Sequence, residues 1–279
     1  MGMKKVWFIT GASKGLGLSL VHQLLKAGQS VAATSRNISE LKKAVNNDTG
    51  KFLPLAVNLA DEKSVEDAIQ ATIAKFERVD VVINNAGYGI GGSIEELTDA
   101  ETRNSFDVNV FGTINVIRAV SPYLRAQQAG HIINIASIAG IAGATGWAVY
   151  SAAKAAVIAL SEVSADDLKE FGVKVTVVTP GAFRTSFLTP DSLILATNPI
   201  AEYEEVRAIH QKYLKMDGQQ IGDPEKAAAA MISLASMPNP PVHLLLGKDA
   251  FQRANSKIDA LTKEFNDWKA ITISTDFDN

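Results

Sequence analysis

Tyr150 and Lys154 stand four residues apart in the run Tyr150-Ser151-Ala152-Ala153-Lys154, and Ser137 lies thirteen residues upstream in Ile133-Asn134-Ile135-Ala136-Ser137. On a helix, positions four apart share a face at about 5–6 Å, which brings an ammonium and a phenol together. At an effective dielectric of about 20, a positive charge about 5 Å away favours the phenolate by roughly 3 kcal/mol, or about two pKa units. A phenol moved toward neutrality is a better general acid. On its own the spacing reads equally as a surface helix in which a tyrosine and a lysine coincide. The elements around the pair must decide.

Apolar, β-rich runs recur at 6–9, 31–33, 52–57, 81–83, 132–133, 173–178 and 242–246, with helical patterns between them. The clearest helix has Val65, Ala68, Ile69, Thr72, Ile73 and Phe76 on one face, with Asp61 placed as its cap. Thr98 with Glu101 reads as a capping box, and Asp223-Pro224 as a cap followed by proline in the first helical position. Strands that are apolar throughout and alternate with helices imply an α/β fold, a doubly wound (Rossmann) parallel sheet of seven strands with helices on both faces. A single domain over 1–279 is expected, with a substrate lid at 183–222, where the alternation lapses, and a C-terminal extension at 249–279.

The chain has 279 residues, 47% of them hydrophobic, and a net charge of −3 from 27 basic and 30 acidic residues, with no cysteine. That balance argues against nucleic acid or an anionic membrane as a partner, and the lack of cysteine removes disulfides and thiolate chemistry. The start, Met1-Gly2-Met3-Lys4-Lys5, leads to an apolar run too short for a secretory signal, and Val6 breaks the myristoylation pattern. Lys154 and Lys226 interrupt the longest apolar stretches, so no membrane span is expected, and cytoplasm is the default location. His22, His131, His210 and His243 lack metal-ligand spacing and read as structural; no metal site is expected.

In an open α/β sheet, ligands bind beyond the carboxyl ends of the strands. Thr10-Gly11-Ala12-Ser13-Lys14-Gly15-Leu16-Gly17 follows the first strand, Asn84-Asn85-Ala86-Gly87 the fourth, Ser137 the fifth and Pro180-Gly181 the sixth, so all fall on one edge. Gly11 suits a tight turn, Gly15 a close approach of backbone to pyrophosphate, and Gly17 close packing of helix on sheet. Three glycines in seven residues can simply be a loop; their place between a strand and an amphipathic helix favours the dinucleotide reading. The second strand ends Thr34-Ser35-Arg36-Asn37, with no acid to hold a ribose 2′-hydroxyl. Arg36 and Lys14, which otherwise read as solvated loop cations, suit a 2′-phosphate, so NADP(H) is expected over NAD(H).

These motifs together resemble the classical short-chain dehydrogenase/reductase family, from about residue 4 to 246. TGxxxGxG is met by Thr10 through Gly17, NNAG by Asn84 to Gly87 and YxxxK by Tyr150 and Lys154; the family's asparagine and serine fall on Asn109 and Ser137, and its Pro-Gly and threonine on Pro180, Gly181 and Thr185. The resemblance implies hydride transfer between nicotinamide and a carbonyl or alcohol carbon. Tyr150 would protonate the alkoxide, Lys154 assist it and hold the nicotinamide ribose, Ser137 bind the substrate oxygen, and Asn109 steady a helix distortion and a proton-carrying water. The implied cofactor contacts are Gly11, Ser13, Lys14, Gly15, Leu16, Gly17, Ser35, Arg36, Asn58, Asn85, Ala86, Gly87, Tyr150, Lys154, Pro180, Gly181 and Thr185. Asn84 and Asn109 can also be read as satisfying backbone groups. Asn58 stands where many members have Asp, which bears on adenine affinity. The ending His243-Leu244-Leu245-Leu246-Gly247-Lys248 and the extension after it are similar to a subgroup resembling 17β-hydroxysteroid and retinol dehydrogenases, so a homodimer and a homotetramer both stay open.

Phe183, Phe187, Leu188, Leu193, Ile194, Leu195, Tyr203 and Met216 make the expected lid apolar, with Tyr88 and Trp147 near the motifs. That composition suits a medium-sized apolar ketone or aldehyde as much as it suits packing of the lid itself. An NADPH-binding regulatory protein without turnover and a 3-oxoacyl thioester reductase are the competing readings. A regulator has little use for Tyr150, Lys154, Ser137 and Asn109 together.

Overall fold

The apolar runs become strands, those at the centre of the sheet because both of their faces are buried. In chain order the strands are β1 Val6–Ile9, β2 Ser30–Ser35, β3 Phe52–Ala56, β4 Val81–Asn84, β5 Gly89–Gly91, β6 Gly130–Ile135, β7 Val173–Pro180, β8 Leu193–Leu195 and β9 His243–Leu246. The helices are α1 Gly15–Lys26, α2 Ile38–Val45, α3 Glu62–Phe76, α4 Asp99–Phe106, α5 Gly112–Gln127, α6 Ala148–Asp167, α7 Glu204–Lys215, α8 Pro224–Leu234, α9 Lys248–Asp267 and α10 Lys269–Ile273. The structure, a computed structural model, describes residues 4–277. The first three residues, on which the reading of the leader partly rests, and the last two of the C-terminal extension lie outside the described part.

Seven strands form one parallel sheet in the order β3-β2-β1-β4-β6-β7-β9. Ile9 pairs with Ala33 on one side and Ile83 on the other, and Ile83 pairs with Ile133. The chain thus winds outward from β1 in both directions, and the crevice between β1 and β4 is the switch point at which such sheets bind ligands. Alternate residues feed two cores. Trp7, Ile9, Val31, Ile83, Ile133 and Val178 pack on α1 and α8, whereas Phe8, Ala32, Val82 and Ile132 pack on α3 and α5. Side chains that alternate across the pleat require both faces to be covered.

The expected caps form. Asp61 accepts hydrogen bonds from Lys63 and Ser64 at the start of α3, Thr98 and Glu101 close a reciprocal capping box on α4, and Asp223 caps α8 with Pro224 behind it. One expectation needs correcting. Helix α6 is long and apolar enough by composition to cross a membrane, Lys154 notwithstanding. Its inner side instead packs in the domain, with Val157 and Ile158 against Ala136 and Val177.

Strands β5 and β8 lie outside the main sheet and pair with each other in parallel, Ile90 opposite Ile194. They are three residues each, too short to show a period in the sequence. They moor the 183–222 segment beside the carboxyl edge of the sheet, and a bridge between Phe183 and Gly222 closes its base. Glu96 pins the segment from below. Its carboxylate, with a fully buried side chain, accepts from the backbone N–H of Ser93 and of Ile200, each at 2.8 Å, and pairs with Arg207 of α7 at 2.5 Å. Burial alone would raise this carboxyl, yet the N–H groups and the guanidinium outweigh it and hold it down at about 2.

That direction sets a pH dependence. The folded value lies below the unfolded one of about 4.3, so the stabilisation is complete above that pH and is lost as pH falls toward about 2. Glu96→Gln is expected to lower the urea midpoint at pH 7, and the gap to the unaltered protein should shrink as pH is lowered below about 4.5. A gap that stays constant down to the acid limit would contradict the latch.

Candidate active site

The glycine loop and the turn after β4 are built as one unit. Thr10 Oγ1 accepts from the N–H groups of Asn85 and Ala86, each at 3.0 Å, and the Asn85 side-chain amide donates to the carbonyls of Thr10 and Gly11 at 3.0 and 2.9 Å. Gly11 has φ +65°, and a Cβ there would stand 2.7 Å from the Ala86 Cα, so only glycine lets the two loops touch. Gly17 sits at the closest approach of α1 to the loop, where a Cβ would collide with the Gly11 carbonyl. Gly15, with φ +57°, faces Thr185 of the loop after β7, and Leu16 packs on the core below.

The N-terminus of α1 differs from those of α2, α3, α4 and α8. Lys14 supplies no side-chain cap, and the first turn contains no acid. Its first N–H groups therefore have no capping side chain, and the dipole faces the crevice, a fit for a pyrophosphate. Around this point the remaining cofactor candidates are distributed along the strand ends. Ser13 Oγ lies 3.4 Å from Ser35 Oγ at the end of β2, Arg36 next to it is exposed, and Asn58 caps the turn after β3 by accepting from Ala60 N–H. Lys14 leans the other way, its Nζ 3.4 Å from the Asp191 carbonyl, so it and Arg36 are not held together. Pro180 ends β7, and Gly181 donates to the Leu246 carbonyl. The loop is held further by Asp249 of α9, whose Oδ2 accepts from Ala182 N–H at 2.8 Å and whose carboxylate occupies the space that a side chain on Gly181 would need.

Tyr150 lies in the first turn of α6 and Lys154 one turn on, both facing inward, 7% and 5% exposed. Lys154 Nζ is 5.9 Å from the centre of the Tyr150 ring and donates to the Ile135 carbonyl at the end of β6 at 3.0 Å. The expected acidification of the phenol is not what this arrangement produces. Burial pushes Tyr150 up to about 12, against a hydrogen bond from Ser137 that pulls it down, and burial pulls Lys154 down to about 8. An effective dielectric of about 20 presupposes water around the pair; here both groups lose that water, and desolvation sets the direction of both shifts. Tyr150 is thus a neutral proton donor next to a cation.

Asn109 sits in a π-helical turn, Asp107–Phe111, between α4 and α5. The wider turn carries its amide to Tyr88, whose N–H it meets at 3.2 Å and whose carbonyl it meets at 3.2 Å, and to the Ser105 carbonyl at 3.0 Å. At Gly87 a Cβ would stand 2.5 Å from Asn109 Oδ1 and 3.3 Å from Lys154 Nζ, so these two side chains converge on one glycine. Asn84 acts elsewhere: it donates to Asn134, which donates to Ser161 of α6, tying β4, β6 and the catalytic helix together. Ser137 follows β6 and also accepts from Ala139 N–H, which fixes its hydroxyl at the mouth.

Above Tyr150 the walls are aromatic. Trp147 packs edge-on at 6.3 Å and Phe187 lies tilted at 5.8 Å; Trp147 in turn meets His210 at 5.2 Å and Tyr213 at 5.1 Å, both on α7. His210 also bonds the Gly146 carbonyl at 3.0 Å. Of the apolar residues expected in the 183–222 segment, Phe187, Leu188, Leu193, Leu195 and Met216 join this cluster. Phe183 instead joins the main core, Ile194 is 43% exposed, and Tyr203 donates to Glu95. Glu96, Asn134, Tyr213 and Asp249 escaped the sequence reading, and His210, read only as structural, packs on Trp147 beside the site. Only the i, i+3 spacing of His210 and Tyr213 offered a signal.

Comparison with known proteins accounts for this geometry. The family model for short chain dehydrogenase matches residues 5–192. The 3-ketodihydrosphingosine reductase of Bacteroides thetaiotaomicron is 35% identical over 243 residues, 87% of this chain and 88% of that protein. A short-chain dehydrogenase from Streptomyces avermitilis superposes with a TM-score of 0.91 at 34% identity, covering 99% of this chain and 100% of that one. ElxO, with NADP bound, superposes with a TM-score of 0.72 at 26% identity, covering 88% of this chain and 97% of that one. This chain belongs to that family: it is an oxidoreductase of the short-chain dehydrogenase family, acting on CH–OH or carbonyl groups.

Proposed function

We propose that the protein is an NADPH-dependent reductase of medium-sized apolar ketones or aldehydes. The observation that carries the reading is the aromatic wall of Trp147 and Phe187 set directly over the Tyr150 phenol, with the apolar 183–222 segment closing above it as a lid. An apolar enclosure with a few polar groups at its floor orients a lipophilic carbonyl. The name of the relative, 3-ketodihydrosphingosine reductase, supports reduction of a ketone.

The glycine loop, the α1 terminus and Thr185 would hold the cofactor pyrophosphate, with Arg36 at the 2′-phosphate, where Lys14 would join it by leaving the Asp191 carbonyl, and no acid at the end of β2 to oppose it. Bound there, NADPH supplies the hydride. Ser137 and Tyr150 orient the carbonyl oxygen, and Tyr150 gives its proton to that oxygen as negative charge develops. Lys154 stabilises the phenolate left behind, and Asn109 would steady a water that leads a replacement proton to Lys154. A thioester reductase would also use these four groups, but it would have to admit a carrier-bound acyl chain past a segment pinned by Glu96 and Arg207.

A panel of ketones, aldehydes, sugars and acyl thioesters assayed by cofactor absorbance tests the substrate class. Turnover confined to sugars or thioesters would overturn it, and kcat/KM favouring NADH would overturn the cofactor. Tyr150→Phe is expected to lower kcat at least about 10²-fold with NADPH binding retained, whereas Lys154→Met should impair both. Because burial lowers Lys154 to about 8, kcat/KM for reduction should fall as pH rises through that value and the ammonium loses its charge. A flat profile from pH 6 to 9 would remove the ammonium from the mechanism.

A further inference from the structure

Helix α9 is anchored at one end only. Ala250 and Ala254 are its buried residues, packed near Ile138 and Leu245, and past them the helix leaves the domain. The overhanging part is not polar all round. Ile258, Phe265 and Trp268 are 55%, 67% and 60% exposed, and Phe251, on the outer side of the anchored turn, is 61% exposed. Phe251, Ile258 and Phe265 recur every seven residues, and Ala254, Leu261 and Trp268 recur with them three positions on. That is the a/d pattern of a helix that packs along another helix.

The charges say which partner fits. Past Ala254, from 255 to 277, the overhang carries Lys257, Lys263 and Lys269 against Asp259, Glu264, Asp267 and Asp276, and Lys257 and Glu264 stand seven positions apart on the same flank of the apolar stripe. The arm complements itself when reversed. We propose that the overhanging part of α9 is an interface for a second copy of this chain, paired antiparallel about a two-fold axis. Ile258 of each copy meets Leu261 of the other, and Lys257 of each lies opposite Glu264 of the other, so every contact is made twice. An anionic membrane suits the arm less well, because between 255 and 277 its three cations are outnumbered by four acids and leave no attraction to lipid headgroups.

The test is the mass of the full-length protein in solution by sedimentation velocity, with carbonyl turnover as a check of folding. Ile258→Glu with Phe265→Glu alters exposed positions far from the reacting groups and is expected to halve the assembly mass while leaving turnover unchanged. Lys257→Glu should also weaken assembly, and adding Glu264→Lys to it should restore the original mass, because the reversed pair is again complementary. A mass indifferent to the Ile258 and Phe265 changes, or a failure of the charge reversal to rescue, would overturn the interface. So would an unaltered protein that is monomeric and co-sediments with phosphatidylglycerol vesicles through Ile258.

Discussion

The organising constraint is a lysine ammonium taken almost wholly out of water. Lys154 is 5% exposed, and its acceptor is the backbone carbonyl of Ile135 rather than a carboxylate. Burying a charge with so little compensation costs several kcal/mol, and the drop of its pKa to about 8 registers that cost. At neutral pH the group still keeps most of its charge. The floor of the site serves this one cation: β6 presents a carbonyl, Gly87 leaves room beside Nζ, and Asn109 arrives on a widened helical turn.

The same constraint explains why the surroundings are rigid where they touch the site. Asn84, Asn134 and Ser161 lock β4 and β6 to α6, the helix that carries Tyr150 and Lys154. The Gly11 loop is clamped through Thr10 and Asn85, and the loop after β7 through Asp249. A phenol and a carbonyl carbon exchange a proton and a hydride productively only at near-contact distances, so small errors in these supports carry into the rate. The C-terminal extension is thereby tied to the cofactor edge: its first turn holds the Gly181 loop, while its far end lies free of the domain.

Much of the scaffold was legible because its signals are local. The caps at Asp61, Thr98 and Asp223 act within three residues of themselves, and the sheet strands are continuous apolar runs whose neighbours are dictated by burial on both faces. The glycines were legible for a related reason, since a positive φ or a backbone contact tolerates no other residue. Strands β5 and β8 were not, because three residues hold no period. Glu96 was not, because the groups that satisfy it come from Ser93, Ile200 and Arg207, separated by up to 111 positions. Tyr203 and Ile194 looked like inward-facing lid residues by type, yet Tyr203 donates to Glu95 and Ile194 is exposed, partners and exposure that residue type alone does not give.

The phenol shows where the division falls. The sequence by itself determined that Tyr150 and Lys154 share one helix face, that the glycine loop precedes a helix, and that both belong to the carboxyl edge of a parallel sheet, since spacing and period are properties of the chain. Only the tertiary structure decided how much water remains around the pair, and with it the direction of both pKa shifts: desolvation depends on what other segments cover, here the 183–222 segment and the aromatic side chains of Trp147 and Phe187. A pairwise distance follows from local geometry, whereas the dielectric around it is set by the whole fold.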